Sequence, residues 1–161
     1  MSEQIQTVEN FNRSLVIKRN QAALFLEPVL EKELGGKYTD NPYGRQRSLE
    51  DYVDSSGRIW GIYDIEFEKP FKNQKHDTHL EIIWIKEGLA TIKLGGKVVK
   101  EEEKLKLQFF EKQIAVKAGN LIIIPPGTPH GIRIEETLKT RVIMFPPYDR
   151  SDSLAIEVNS F

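Results

Sequence analysis

The chain has only three histidines, and they are the residues whose type and spacing most clearly suggest chemistry. His76 and His79 lie in one short segment with Glu81, and His130 follows a proline-rich turn sequence. In a chain without cysteine, imidazole and carboxylate groups are the usual ligands of zinc, iron, nickel, copper or manganese. These four side chains are therefore candidate ligands of a divalent transition metal, although three scattered surface histidines would have the same composition.

The composition excludes several other kinds of site and partner. The absence of cysteine excludes thiol catalysis, iron–sulfur clusters and thiolate zinc sites. The 23 basic and 24 acidic residues leave a net charge of −1, whereas a nucleic-acid-binding domain is expected to be strongly basic. The first residues lack the features of a signal peptide, and no apolar run approaches the roughly 20 residues that span a bilayer. We therefore expect a cytoplasmic protein that binds neither nucleic acid nor membrane.

Residues 57–161 carry the pattern of an all-β fold. Apolar and polar residues alternate from Ile59 to Glu66, and the stretch from Leu80 to Lys86 is β-branched and aromatic. Gly95 and Gly96 then give a hairpin signal. Several short strands separated by turns, with no helical pattern between them, predict a β-sandwich or barrel. At 161 residues the chain has the length of one domain.

Residues 1–56 have a mixed pattern and are predicted to be an N-terminal helical and irregular extension. Asn20 to Leu34 reads as a helix, with Asn20 as its N-cap and Gly35 at its end. Pro28 must kink this helix or start a second one. The apolar residues of the extension are too few for an independent core, so we expect it to pack on the barrel. We also expect a homodimer, formed through an exposed sheet face.

The region before His130 matches a specific motif. Gly119 is followed by five residues, then Pro125, any residue, Gly127, two residues and His130. This spacing resembles the second motif of the cupin superfamily, whose members are small proteins built on a double-sheet β-barrel, or jelly roll. The resemblance covers roughly residues 58–146 and implies an all-β, cupin-type barrel for the second half of the chain.

The region around His76 is similar to the first cupin motif. That motif reads His, any residue, His, three or four residues, Glu, six residues and Gly, and here His76, Glu81 and Gly88 match its last three fixed positions. Gln74 stands where the motif has its first histidine. The resemblance implies a metal site formed by His76, Glu81 and His130, with Gln74 as a weak fourth ligand.

Strand geometry leaves a second ligand set open. Side chains alternate along a strand, so His79 would share a face with Glu81, whereas His76 would not. His76 can face the same way only if a bulge or loop precedes the strand. His76 belongs to the first ligand set and His79 to the second, and we favour the first because motif spacing is more specific than alternation near a strand end.

The resemblance also implies a function. Similar proteins are metal-dependent enzymes that act on small polar molecules, and we favour dioxygenase-type or isomerase-type chemistry with iron, manganese, nickel or zinc. The alternative is a non-catalytic cupin that binds a small ligand and has lost its full metal shell. Arg58, Arg133 and Arg141 are candidates for meeting an acidic substrate at the barrel mouth, although each is more often a surface charge.

Overall fold

The computed structural model describes residues 15–21, 26–47, 50–54, 56–70, 73–145 and 153–155. Within these ranges the helices are a 3-10 turn, Arg19–Gln21, and one α-helix, α1, Glu27–Glu31. The strands are β1 Leu15–Lys18, β2 Tyr38–Asn41, β3 Gly44–Arg47, β4 Glu50–Val53, β5 Ile59–Phe67, β6 Gln74–His76, β7 Leu80–Leu94, β8 Lys97–Glu101, β9 Lys104–Phe109, β10 Lys112–Lys117, β11 Asn120–Ile124, β12 His130–Phe145 and β13 Ser153–Ala155. The prediction of an all-β fold is confirmed, since every pairing between these strands is antiparallel.

The two longest strands, β7 and β12, organise the barrel. They pair with each other along most of their length, and β7 also pairs with β11 through its first half and with β10 through its second half. The register between β7 and β12 shifts between Ile134 and Thr140, where Gly88 has a φ of 104°. A Cβ atom at Gly88 would lie 2.3 Å from the Thr137 carbonyl oxygen, so this close approach of the strands requires glycine.

The strands bury apolar side chains on both faces. On β7, Ile83 and Ile85 belong to the core enclosed by the barrel, while Ile82 and Trp84 belong to a second cluster on the outer face. This alternation follows from the two-residue period of a strand. The outer cluster is covered by the α1 region, whose Val29 and Leu30 are fully buried. Strands with two buried faces explain why the sequence reads as long apolar runs.

The structure has a helix within Asn20 to Leu34, as predicted, but the helix is shorter than the pattern suggested. Residues 22–25 lie outside the described residues, and α1 covers only Glu27–Glu31, with Pro28 in its first turn. Proline is tolerated there because the first turn leaves its N–H positions unbonded. Lys32 is already extended, with φ −61° and ψ 126°, so the helix ends before Gly35 and Asn20 does not cap it.

Contacts of Arg19 connect the 3-10 turn to α1 and to the sheet. The Arg19 guanidinium lies 2.6 Å from Glu27 and 2.8 Å from Glu31, and it stacks 4.9 Å from the centre of the Trp84 ring. These contacts hold the 3-10 turn against α1 and both against the sheet. None of the described helices is long and apolar enough to cross a membrane.

The contacts of α1 and β4 support our proposal that residues 1–56 pack on the barrel and form no domain of their own. We predict that a fragment of residues 57–161 is less stable and less soluble than the full chain, because it exposes the outer cluster around Trp60 and Ile143. Urea denaturation of the two proteins, followed by circular dichroism, measures the difference. Equal stability and solubility of the fragment would refute the proposal.

Candidate metal centre

His76 is positioned by a break between two strands. β6 ends at His76, and residues 77 and 78 form a bend before β7 begins at Leu80. The His76 carbonyl also accepts a hydrogen bond of 2.6 Å from the Gly127 N–H, which ties this end of β6 to the turn before β12. The bend interrupts the alternation of side chains along the strand, so His76 can face the same way as Glu81.

Glu81 lies on the inner face of the barrel near the start of β7. Its backbone neighbours are Ile124 of β11 on one side and Met144 of β12 on the other, and both belong to the enclosed core. Facing residues on paired strands present their side chains to the same face of the sheet. Glu81 is therefore a carboxylate set among apolar side chains.

His130 begins β12, directly after the turn Pro125–Thr128. The turn is closed by a hydrogen bond of 3.2 Å from the Thr128 N–H to the Pro125 carbonyl. The His130 Nδ1 atom lies 3.0 Å from the Thr128 carbonyl oxygen, which can only accept a hydrogen bond. Nδ1 therefore carries the proton in this contact, which leaves the Nε2 lone pair of the neutral ring for a metal.

The three side chains converge on one point. The Nε2 atoms of His76 and His130 lie 3.2 Å and 3.4 Å from Glu81 Oε2, and the candidate ligand atoms are all within 4.8 Å of one another. All three are buried, with 3%, 0% and 6% of their surfaces exposed for His76, His130 and Glu81. Two imidazoles and one carboxylate at this separation could hold a divalent transition ion.

The electrostatics of Glu81 favour its ionised form. Burial raises the pKa of Glu81, but the adjacent imidazoles of His130 and His76 together lower it more, so its pKa lies well below the usual range. Within the described residues, Glu81 Oε2 has no partner in good hydrogen-bond geometry. A buried carboxylate oxygen needs a positive charge beside it, which protonated imidazoles supply here and a cation between the three ligands would supply in their place.

The two remaining candidate ligands have other positions. His79 is buried, but it is not part of the converging group; its ring centre lies 6.1 Å from that of His76, and its Nδ1 is 3.2 Å from the Thr78 hydroxyl. Gln74 is half-buried on β6 and lies opposite His130 in the strand register. The geometry therefore brings together His76, Glu81 and His130, and it does not place His79 among them.

Asn73 packs beside the site, and no feature of the sequence indicated this contact. Its side chain is buried against Gly131, where a Cβ atom would lie only 1.9 Å from Asn73 Oδ1. Gly131 follows His130 directly, so this close packing fixes the backbone next to a candidate ligand. Any larger residue at position 131 would displace Asn73 or His130.

Arg141 does not lie at the barrel mouth, where an acidic substrate could meet it, and that expectation is wrong. It is 2% exposed on the outer face of β12, with its guanidinium 2.6 Å and 3.2 Å from the two carboxylate oxygens of Asp64. Its other terminal nitrogen donates to the carbonyls of Val29, Leu30 and Lys32, at the end of α1. Arg141 therefore anchors the α1 region to the sheet.

The sequence matches a known protein family over most of the barrel. The sequence profile described as the AraC-like ligand binding domain matches residues 60–156. A search of curated proteins found no match.

Three solved structures with the same fold are distant from this chain in sequence. A protein from Planctomyces limnophilus has a TM-score of 0.55 at 20% identity, over 74% of this chain and 90% of that one. A Streptomyces PAC13 variant with uridine has a TM-score of 0.56 at 12% identity, over 78% and 88%. Oxalate decarboxylase from Lactobacillus farciminis has a TM-score of 0.51 at 15% identity, over 74% of this chain and 33% of the enzyme. These likenesses show the fold, a cupin-type jelly roll.

Proposed function

We propose that this chain, which belongs to the family of AraC-like ligand binding domains with a cupin-type fold, is a metal-dependent enzyme that acts on a small polar molecule. One observation carries the proposal: the ligand atoms of His76, Glu81 and His130 converge within 4.8 Å inside the barrel. Scattered surface histidines would not be buried, and they would not share a carboxylate.

The donor set fits a divalent transition ion such as iron, manganese, nickel or zinc. When bound, such an ion supplies a Lewis acid with open coordination positions for a substrate, water or oxygen. Dioxygenase-type and isomerase-type chemistry both need such positions, which a three-ligand site provides. We propose that Gln74, which has replaced a histidine of the cupin motif, adds at most a weak neutral ligand, so affinity for the ion is modest.

The protein residues perform the remaining tasks. Glu81 supplies the negative charge that holds the ion, and the Thr128 carbonyl orients His130 through Nδ1. The apolar neighbours of Glu81, Ile124 and Met144, exclude water from the ligands. A dry surrounding strengthens each electrostatic interaction between the site and a polar substrate.

A second function, ligand binding without turnover, is favoured by a different observation. The matching family is described by ligand binding, and Gln74 has replaced one histidine of the cupin motif. In that case the barrel would sense or store a small polar ligand. The two functions differ in whether a metal ion is needed.

Elemental analysis of protein purified without a nickel column tests the proposal. We predict about one equivalent of a transition metal per chain, either as purified or after reconstitution with iron, manganese, nickel or zinc. A matched sample of the Glu81→Gln variant, which keeps the size of the side chain and removes its charge, should hold far less. No metal in the wild-type protein after reconstitution would overturn the enzyme proposal and favour the binding function.

We also propose that the protein is a cytoplasmic homodimer. Val53 and Ile59 face each other on the paired strands β4 and β5, and their side chains are 59% and 46% exposed. Burial of these side chains against a second copy would remove apolar surface from water. Light scattering after size-exclusion chromatography would contradict the dimer if it gave the mass of one chain, and cell fractionation tests the location.

A further inference from the structure

A cavity of about 360 Å³ lies on the outer face of the sheet, away from the metal centre. Its sheet wall includes Trp84 and Lys86 of β7, which alternate with the inward-facing Ile83 and Ile85. Its opposite wall is the segment from Leu30 to Leu34, which comprises the end of α1 and the three residues after it. The volume falls in the range of about 300–1,000 Å³ that is typical of small-molecule sites.

Two arginines hold the walls of this cavity in place. Arg141 donates to three carbonyls at the end of α1, and Arg47 of β3 donates to the carbonyl of Leu34. The segment over the sheet is therefore tied down at both ends. A cavity with fixed walls can bind a ligand without a further ordering cost.

The charges that line the cavity leave an excess of positive charge. Arg141 is neutralised by Asp64 at 2.6 Å, and Glu31 is paired with Arg19 outside the cavity at 2.8 Å. Lys32 and Glu33 carry opposite charges, Arg47 lies 3.9 Å from the same Asp64 carboxylate, and Lys86 adds a further positive charge. The balance favours an anion.

Arg47 and two aromatic rings define what kind of anion fits. Arg47 donates to the Leu34 carbonyl and stacks 4.6 Å from the centre of the Tyr38 ring, and 28% of its side chain remains exposed. The planar guanidinium edge is suited to a carboxylate. The Trp84 ring, whose centre lies 4.9 Å from the Arg19 guanidinium and 5.2 Å from Lys86 Nζ, lines the cavity with its remaining apolar surface.

We propose that this cavity is a second binding site, for a small organic molecule that carries a carboxylate next to a flat apolar group. The carboxylate binds Arg47 and Lys86, and the apolar group packs on Trp84. This site is separate from the metal centre, so it stands whether or not the barrel binds a metal.

Nuclear magnetic resonance titration with benzoate tests the proposal. The chain has two tryptophans, so the indole N–H of Trp84 can be followed while that of Trp60, which donates to Asp54 at 3.0 Å, serves as an internal reference. We expect benzoate to shift the Trp84 signal in a saturable way. We expect benzamide, which has the same shape without the charge, to bind at least tenfold more weakly.

Variants on the same strand provide the control. Arg45→Gln removes an exposed arginine that also lies over the Tyr38 ring, 4.8 Å from its centre, but does not line the cavity. We expect Arg47→Gln and Lys86→Gln each to weaken benzoate binding by roughly tenfold, and Arg45→Gln to leave it unchanged. Lys86→Gln keeps the test valid if Arg47→Gln loosens the segment at Leu34. No saturable Trp84 shift, equal binding of benzamide, or an equal loss in Arg45→Gln would overturn the proposal.

Discussion

The His130→Ala variant should lose its divalent transition ion while the barrel remains folded. His130 provides one of three converging ligand atoms, and the two that remain, on His76 and Glu81, lie 3.2 Å apart. Loss of a direct ligand should exceed the roughly 10–100-fold loss of affinity that outer partners of a ligand cause. Isothermal titration of the metal-free proteins with Zn²⁺ and with Mn²⁺ measures the loss.

His79→Ala is the matched control for this experiment. His79 is buried like His130 and lies beside His76, but its ligand atoms are not in the converging group. We expect this variant to keep the affinity of the wild-type protein. His130 is fully buried, so its removal also leaves a small void and lowers the melting temperature, but circular dichroism should still show a β-sheet protein. Metal retained by His130→Ala and lost by His79→Ala would contradict the assignment.

The second large effect is expected from Asp64→Ala. This change leaves the guanidinium of Arg141 buried without its carboxylate, and breaking a buried pair in this way costs about 3–5 kcal/mol. Since domains are stable by only about 5–15 kcal/mol, the loss is a large part of the total. Urea denaturation should show a much lower midpoint, and hydrogen exchange should become faster in residues 29–34, which Arg141 anchors.

Glu66→Gln serves as the comparison for that variant. Glu66 pairs with Arg45 at 2.8 Å between neighbouring strands, but the arginine side chain is half exposed. Exposed pairs contribute about 0–1 kcal/mol, so we expect only a small change in the denaturation midpoint. If Asp64→Ala were no more destabilising than Glu66→Gln, the anchoring role of Arg141 would be wrong.

The sequence predicted the strands better than it predicted the N-terminal region. Alternation, β-branched runs and paired glycines are local signals, and they were enough to identify β5, the first half of β7 and the turn after Leu94. The helix predicted within Asn20 to Leu34 is shorter than its pattern, because the apolar residues are shared between a short helix and an extended segment that both cover the sheet. Tertiary packing, which no local pattern contains, decided where α1 ends.

The sequence predicted those site residues whose spacing along the chain reflects which strands pair with each other. The intervals around Glu81 and before His130 fix which residues meet across β7, β11 and β12. The position of His76 depended on the bend at residues 77 and 78, which alternation alone could not show. Asn73 and the Asp64–Arg141 pair were not predictable, because each depends on partners far apart in the chain.

Anomalous diffraction from crystals of protein purified without nickel and loaded with Zn²⁺ or Mn²⁺ tests the central claim most directly. We predict one strong peak at about 2.0–2.2 Å from His76 Nε2, His130 Nε2 and a carboxylate oxygen of Glu81. A barrel without a peak among these residues after loading would contradict it, and so would a peak bound to His79 in place of His76.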